Sequence, residues 1–155
     1  MLFGGPLKFP LDRASSAVRA LARACGADDA RAAAKAAFAL VGLGPGLTPA
    51  GDDFVGAAFF ARMHCEPAAR DRRAEWERAG ASILEHARGR TPPISLTLLG
   101  DLVSGHGHAF LHELAAAVAF KASAEALQAA RGLVRIGHSS GWDMLAGFVV
   151  GLGGP

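Results

Sequence analysis

Two stretches of this chain share one pattern of small, capping and acidic residues, and such a repeat restricts the fold to two similar units. Residues 36–44 match residues 129–137, and after three additional residues in the first copy, residues 48–53 match residues 138–143. Each copy predicts a helix, a glycine that ends it, a capping residue, and a Gly-x-Asp triplet that opens a second helix. We therefore predict an internally duplicated helix–Gly-loop–helix unit; chance similarity between helices rich in Ala and Gly is the alternative.

Helical periodicity covers almost the whole chain, and strand-like alternation is absent, so we predict an all-α helical bundle. The chain should form a single all-helical domain over residues 1–155, with repeat units at about 28–64 and 123–152 and connecting helices over 66–121. The expected helices span residues 11–24, 29–43, 48–64, 66–88, 94–104, 108–121, 123–136 and 139–152.

Composition excludes several classes of protein. Hydrophobic residues make up 51% of the chain and charged residues 19%, so it can bury a core and is not disordered. The net charge of +2 gives no indication of nucleic-acid binding. The mean hydropathy of +0.26 raises the question of a membrane span, but prolines and aspartates interrupt the apolar runs before a spanning length is reached. We expect no membrane partner.

The expected location is the cytoplasm. The chain has two scattered cysteines without CxxC spacing, which is typical of a reduced cytosolic protein rather than a disulfide scaffold. Residues 1–10 lack a basic flank followed by an apolar run, so no export signal is expected.

Each repeat contains a corner where a loop enters a helix N-terminus, and such ends favour anions because their N–H groups are unpaired. Glycines before the first helix allow close backbone approach to a ligand, and side-chain donors stand at the second helix. If the two corners meet, they form one pocket for a small anionic substrate; plain helix capping is the alternative. The first corner contributes Gly44, Gly46, Thr48 and Gly51, and the second contributes His138, Ser139, Ser140 and Gly141.

Asp53 and Asp143 each head a stripe of small residues, which is typical of two helices that cross at close range. A buried carboxylate must be paired or hydrogen-bonded, because a lone buried charge is costly to desolvate. Three kinds of partner are possible for these aspartates: loop N–H groups, a divalent cation that Asp52 helps to bind, or the amino group of a substrate. Mg²⁺ is the expected cation, because it prefers oxygen ligands.

Three histidines, His106, His108 and His112, resemble a metal cluster, but the HExxH arrangement is absent. We favour non-ligating histidines over a zinc site, and no metal is assigned. Ser95 follows the Thr91-Pro92-Pro93 break near a helix start, so its hydroxyl is either a cap or a donor to substrate.

The segments Gly42–Phe54 and Gly137–Gly147, with a weaker segment over residues 91–95, resemble the signatures of the AllH-type family. That family includes a subunit of bacterial oxamate carbamoyltransferase, which is linked to allantoin breakdown. The resemblance implies an additional N-terminal portion in family members, and we expect the chain to correspond to their C-terminal helical portion. Ala50 stands where the resemblance implies a serine.

The resemblance implies carbamoyl transfer between phosphate and an amide-type acceptor such as oxamate, with other carbamoyltransferase subunits as partners. Rival interpretations are a non-catalytic subunit that senses a small anion or serves as a scaffold, and a purely structural helical module; the stripes of small residues would also suit a homo-oligomer. The expected catalytic residues are His138, Asp53 and Asp143. The expected substrate-binding residues are Gly44, Gly46, Thr48, Gly51, Asp52, Ser95, Ser139, Ser140 and Gly141.

Overall fold

The computed structural model describes residues 11–65 and 70–153, and within these ranges the chain forms eight α-helices and no strand. The predicted all-α fold class is confirmed. No helix in the described ranges combines the length and the apolar character needed to cross a membrane. The helices are α1 (Leu11–Gly26), α2 (Ala30–Ala37), α3 (Ala50–Cys65), α4 (Arg70–Ala87), α5 (Pro93–Val103), α6 (Ala109–Ala119), α7 (Ser123–Leu133) and α8 (Ser140–Gly151).

Helix α2 ends at Ala37, six residues before the predicted end at residue 43. The chain continues through tight turns in which the Leu40 N–H donates to the Ala37 carbonyl, and Gly42 then adopts a left-handed conformation with φ of 74°. Leu40 and Val41 are buried although they lie in the turn. Because these buried residues follow α2 at helical spacing, periodicity alone overestimated the length of α2. Helix α7 likewise ends at Leu133, three residues earlier than predicted.

Helix α3 lies at the centre of the molecule, because it is apolar on all sides and is covered on all sides. The adjacent residues Phe59 and Phe60 are both fully buried, and they belong to two different hydrophobic clusters. Phe59 packs with residues of α1, α2 and α4. Phe60 packs with residues of α6, α7 and α8. The central helix therefore joins the two halves of the fold.

Helices α3 and α8 run parallel and nearly touch along their backbones. A Cβ on Gly147 would overlap the carbonyl of Phe54, and one on Gly151, four residues later, would overlap the carbonyl of Ala58. Because the contacts advance in the same direction along both helices, the two N-termini lie at the same end of the pair. The stripes of small residues predicted this close crossing, and it positions the candidate site.

The loops that enter α3 and α8 have matching backbone contacts. The Gly51 N–H donates to the Leu43 carbonyl at 2.9 Å, and the Gly141 N–H donates to the Ile136 carbonyl at 3.1 Å. A Cβ on Gly51 would overlap the carbonyl oxygen of Leu40, and one on Gly141 would overlap that of Leu133. Each glycine is thus required by a close backbone approach to the segment that precedes its loop, at matching positions of the two corners.

Candidate functional site

The two corners meet at the start of the α3–α8 pair. The Thr48 hydroxyl oxygen lies 3.5 Å from that of Ser140. Thr48 precedes α3 by two residues, and Ser140 is the first residue of α8. Both side chains are half-buried. The parallel packing of the two helices therefore brings these two predicted substrate-binding residues together.

A cavity of about 480 Å³ opens beside this contact. It is bounded by the starts of α3 and α8, the last turns of α5, and the loop that joins α5 to α6. Its apolar wall consists of Leu98, Leu102, Ile136 and Met144. Its polar lining consists of Thr48, Asp53, Asp101, His106, His108 and Ser140, with Gly107 and Gly137 contributing backbone.

Asp53 is the buried titratable group of this cavity, with only 6% of its surface exposed. Burial raises its pKa to about 6, opposed by a hydrogen bond from Ser140 and supported by repulsion from Asp143 and Asp52. Its Oδ2 atom is buried and has no hydrogen-bond partner among the described residues. Asp53 lines the cavity, whereas this oxygen itself has almost no accessible surface, so the fold leaves the carboxyl group incompletely satisfied.

Asp52, the neighbouring carboxylate, is fully engaged in holding the fold. Its Oδ1 accepts from the Gly42 N–H at 2.7 Å, and its Oδ2 accepts from the Ser95 hydroxyl at 2.6 Å and from the Thr91 hydroxyl. Asp52 and Ser95 are each 1% exposed, and neither lines the cavity. The Asp52 carboxylate therefore connects the loops to the start of α3. A cation held by Asp52 would have to displace these donors.

Asp143 lines a second, smaller cavity of about 280 Å³ on another side of the helix pair. It is close enough to Asp53 to raise the pKa of that carboxyl, yet the two aspartates serve different cavities. The Asp143 Oδ2 atom is also buried and without a hydrogen-bond partner in the described residues. Gly44 and Ala50 line this second cavity, in the places that Gly137 and Ser140 occupy in the first.

The other predicted site residues lie outside the first cavity. His138 and Ser139 are exposed, and Gly46 has no atom near the position of a Cβ. Gly51 and Gly141 are buried against backbone carbonyls, so their role in the fold is close packing.

Two of the three histidines singled out from the sequence, His106 and His108, line the first cavity. The third, His112, packs edge-on against the rings of Phe60 and His64, with centroids 4.9 and 5.0 Å away. Burial, together with the proximity of His64 and His106, lowers the pKa of His112. No group of three or more His, Cys, Asp or Glu residues in the described ranges is arranged to hold a metal ion.

Sequence reasoning missed Asp101 as a cavity residue, because a lone aspartate near the end of α5 carries no motif. It also missed Asp28, which adopts a positive φ of 53° between α1 and α2. The Asp28 carboxylate accepts from Arg62 at 2.6 Å and from the indole of Trp76 at 2.9 Å, which lowers its pKa despite the opposing effect of burial. This network ties three elements together away from the cavity.

The fold and the site define a class: an all-α protein in which two parallel, closely packed helices begin at a polar cavity with a buried carboxylate. The family model of oxamate carbamoyltransferase subunit AllH matches residues 40–152, and the chain therefore belongs to this family. The matched region contains both corners and every residue of the first cavity. No curated protein and no solved structure matches the chain.

Proposed function

We propose that this chain is a carbamoyltransferase subunit whose 480 Å³ cavity binds a small anionic substrate such as oxamate or carbamoyl phosphate. The observation that carries the proposal is the placement of Thr48, Ser140 and Asp53 around one cavity within the family-matched region. Other carbamoyltransferase subunits are the expected partners. We also propose that the matching corners reflect an internal duplication, as their equivalent glycine contacts support.

The cavity has the donors that a small anion needs. The Thr48 hydroxyl stands at its wall beside Ser140, whose single proton is engaged by Asp53, and α3 and α8 begin beside the cavity with their partial positive charge. The imidazoles of His106 and His108 add further N–H donors. No lysine or arginine lines the cavity in the described residues, so hydroxyls, imidazoles and helix ends provide the binding.

Asp53 is the residue suited to proton transfer. In carbamoyl transfer to oxamate, a bond forms between the amide nitrogen and the carbamoyl carbon, and phosphate departs with the electrons of the broken C–O bond. The amide nitrogen must lose a proton, and the Asp53 carboxylate at the cavity wall accepts it. A pKa of about 6 keeps Asp53 ionised at neutral pH and close to the range in which general bases work well. We assign no step to His138, whose side chain is exposed outside the cavity, or to Asp143, which faces the second cavity.

A second candidate function is binding of the same anion without turnover, as in a sensing or scaffold subunit. It is favoured because Asp52 is hydrogen-bonded to the loops and His138 is exposed, so neither is placed to act on a ligand in the cavity. Asp53 remains as the buried carboxylate of the cavity that has an oxygen without a hydrogen-bond partner among the described residues. Anion binding to the chain, with no change in carbamoyl transfer by the assembled enzyme in Asp53→Asn, would select this candidate.

The test of binding is thermal unfolding of the full chain in the presence of oxamate or carbamoyl phosphate. A ligand that binds only the folded state must raise Tm, and a concentration of 100 Kd adds about 2.7 kcal/mol. Thr48→Val, which removes a hydroxyl of the cavity and keeps the shape, should weaken the shift. Thr97→Val is the matched control, because the Thr97 side chain is exposed and lies outside the cavity. No Tm shift with millimolar oxamate or carbamoyl phosphate would contradict the proposal.

A further inference from the structure

We infer that the first cavity recognises two ends of its ligand separately: Asp53 binds the amide NH₂ of a carbamoyl-type compound, and His106 and His108 of the α5–α6 loop bind its anionic oxygens. This inference rests on the proposed function and assigns the residues that determine specificity within it. The ligand class is a small anion that carries an unsubstituted amide.

The role of Asp53 follows from its unsatisfied oxygen. Asp53 is more than nine-tenths buried and lines the cavity, and its enclosed Oδ2 atom has no hydrogen-bond partner among the described residues. An ionised carboxylate accepts hydrogen bonds and donates none, so its complement is an N–H group and not a phosphate or carboxylate oxygen. Burial makes such a charge-assisted hydrogen bond strong and makes its absence costly.

The role of the histidines follows from their place in the same cavity. His106 and His108 flank Gly107 in the loop between α5 and α6, and all three line the cavity. Whichever tautomer a neutral imidazole adopts, it retains one N–H donor, and a protonated imidazole has two. Asp101 lines the cavity as well and accepts hydrogen bonds only, so it cannot serve the anionic end. Both histidines are exposed enough to be replaced without disturbing the core.

Two pairs of compounds isolate the amide group. Oxamate and pyruvate differ by NH₂ in place of CH₃, and carbamoyl phosphate and acetyl phosphate differ in the same way. If Asp53 binds the amide, the full chain should bind oxamate and carbamoyl phosphate at least about ten-fold more tightly than their methyl counterparts, as expected for loss of a charge-assisted hydrogen bond. Calorimetric titration at pH 8 measures all four affinities.

Substitutions then test the recognition of the amide end and of the anionic end of the ligand separately. Asp53→Ala should abolish the amide preference, and Asp53→Asn, which keeps the shape, should reduce it. The double variant His106→Ala, His108→Ala, which removes both imidazole donors, should weaken the binding of oxamate and of pyruvate by the same factor and leave their ratio unchanged. Arg131→Gln, which removes an exposed positive charge on α7, is the control for a nonspecific charge effect.

The outcomes distinguish this inference from the proposed function. Oxamate binding with no preference over pyruvate, or a preference that persists in Asp53→Ala, would overturn the inference while the anion site stands. The absence of any oxamate or carbamoyl phosphate binding would overturn both. The wild-type comparison decides the amide preference even if a variant fails to fold.

Discussion

The hydroxyl of Ser140 lies 3.5 Å from that of Thr48, although 92 positions separate the two residues in the chain. This contact joins the start of α8 to the loop before α3. It forms because the backbones of the two helices nearly touch through Gly147 and Gly151, which leaves their N-termini side by side. Ser140 also donates to Asp53, so one hydroxyl connects both corners with the buried carboxylate.

The first prediction concerns the two equivalent helix-start positions. Ser140→Ala removes a hydrogen bond to Asp53 and should lower the free energy of unfolding by about 1 kcal/mol. Ala50→Ser places a hydroxyl at the matching position of the second cavity, where Asp143 Oδ2 has no hydrogen-bond partner in the described residues, and should stabilise by a similar amount. Urea denaturation measures both. Marked destabilisation by Ala50→Ser would mean that the two corners are not equivalent.

The second prediction is a stability change with pH that depends on Asp53. Its pKa is about 6 in the folded chain and close to the ordinary value of 3.8 when unfolded, so the folded state holds the proton more tightly. The stability that Asp53 contributes is fully present below pH 3.8, and it is lost as the pH rises through about 6. Since one pKa unit is worth about 1.4 kcal/mol, the loss is roughly 3 kcal/mol.

Asp53→Asn should remove this pH dependence and make the chain more stable than wild type at pH 8. The measurement is the difference in the free energy of unfolding between the two proteins from pH 4 to pH 8. Taking the difference cancels the contribution of other carboxylates such as Asp28, whose lowered pKa acts in the opposite sense. A difference that does not vary with pH would show that Asp53 titrates normally.

The third prediction concerns the glycines that allow close packing at the corners. Gly51→Ala and Gly141→Ala should each destabilise by about 3 kcal/mol, because the added Cβ would overlap a backbone carbonyl that cannot move aside. Gly100→Ala in α5 is the matched control: its Cβ would lie 3.8 Å from the Leu84 side chain, an ordinary contact. That variant should gain up to about 1 kcal/mol from helix propensity. Equal effects of the three substitutions would contradict the packing described.

The fourth prediction concerns Asp52 as the residue that holds the loops. Asp52→Ala should cost on the order of 3 kcal/mol, because the Gly42 N–H and the buried Ser95 hydroxyl lose their acceptor. Ser95→Ala removes a single donor and should cost roughly half as much. In Ser95→Ala, oxamate binding measured by calorimetry should be unchanged, since Ser95 does not line the cavity. A large loss of oxamate affinity in a folded Ser95→Ala protein would contradict this prediction and show that Ser95 contacts the substrate.

The sequence predicted much of the fold because helix signals are local. Periodicity, caps and glycine stops predicted all eight helices, and the stripes of small residues predicted the close α3–α8 crossing. The predicted end of α2 was wrong because Leu40 and Val41 are buried in a turn rather than on a helix face. Periodicity reports burial, and it cannot by itself distinguish a buried turn from another helical turn.

The candidate site was only partly predictable, because it depends on packing between distant elements. Thr48, Asp53 and Ser140 were predicted as site residues, and they line one cavity. The adjacent aspartates Asp52 and Asp53 have the same chemistry in the sequence, but a rotation of about 100° per helical residue turns one toward the loops and the other toward the cavity. No local pattern indicates that Asp101 lies at the same cavity, because it depends on how α5 packs.

The central claim is that the cavity beside Asp53 binds a small amide-bearing anion, and a crystal structure of the chain grown with oxamate tests it most directly. We predict oxamate in the 480 Å³ cavity, with its nitrogen within hydrogen-bond distance of the Asp53 carboxylate and its own carboxylate toward His106 and His108. Oxamate bound at another place on the molecule, or an empty cavity at saturating oxamate, would contradict the account.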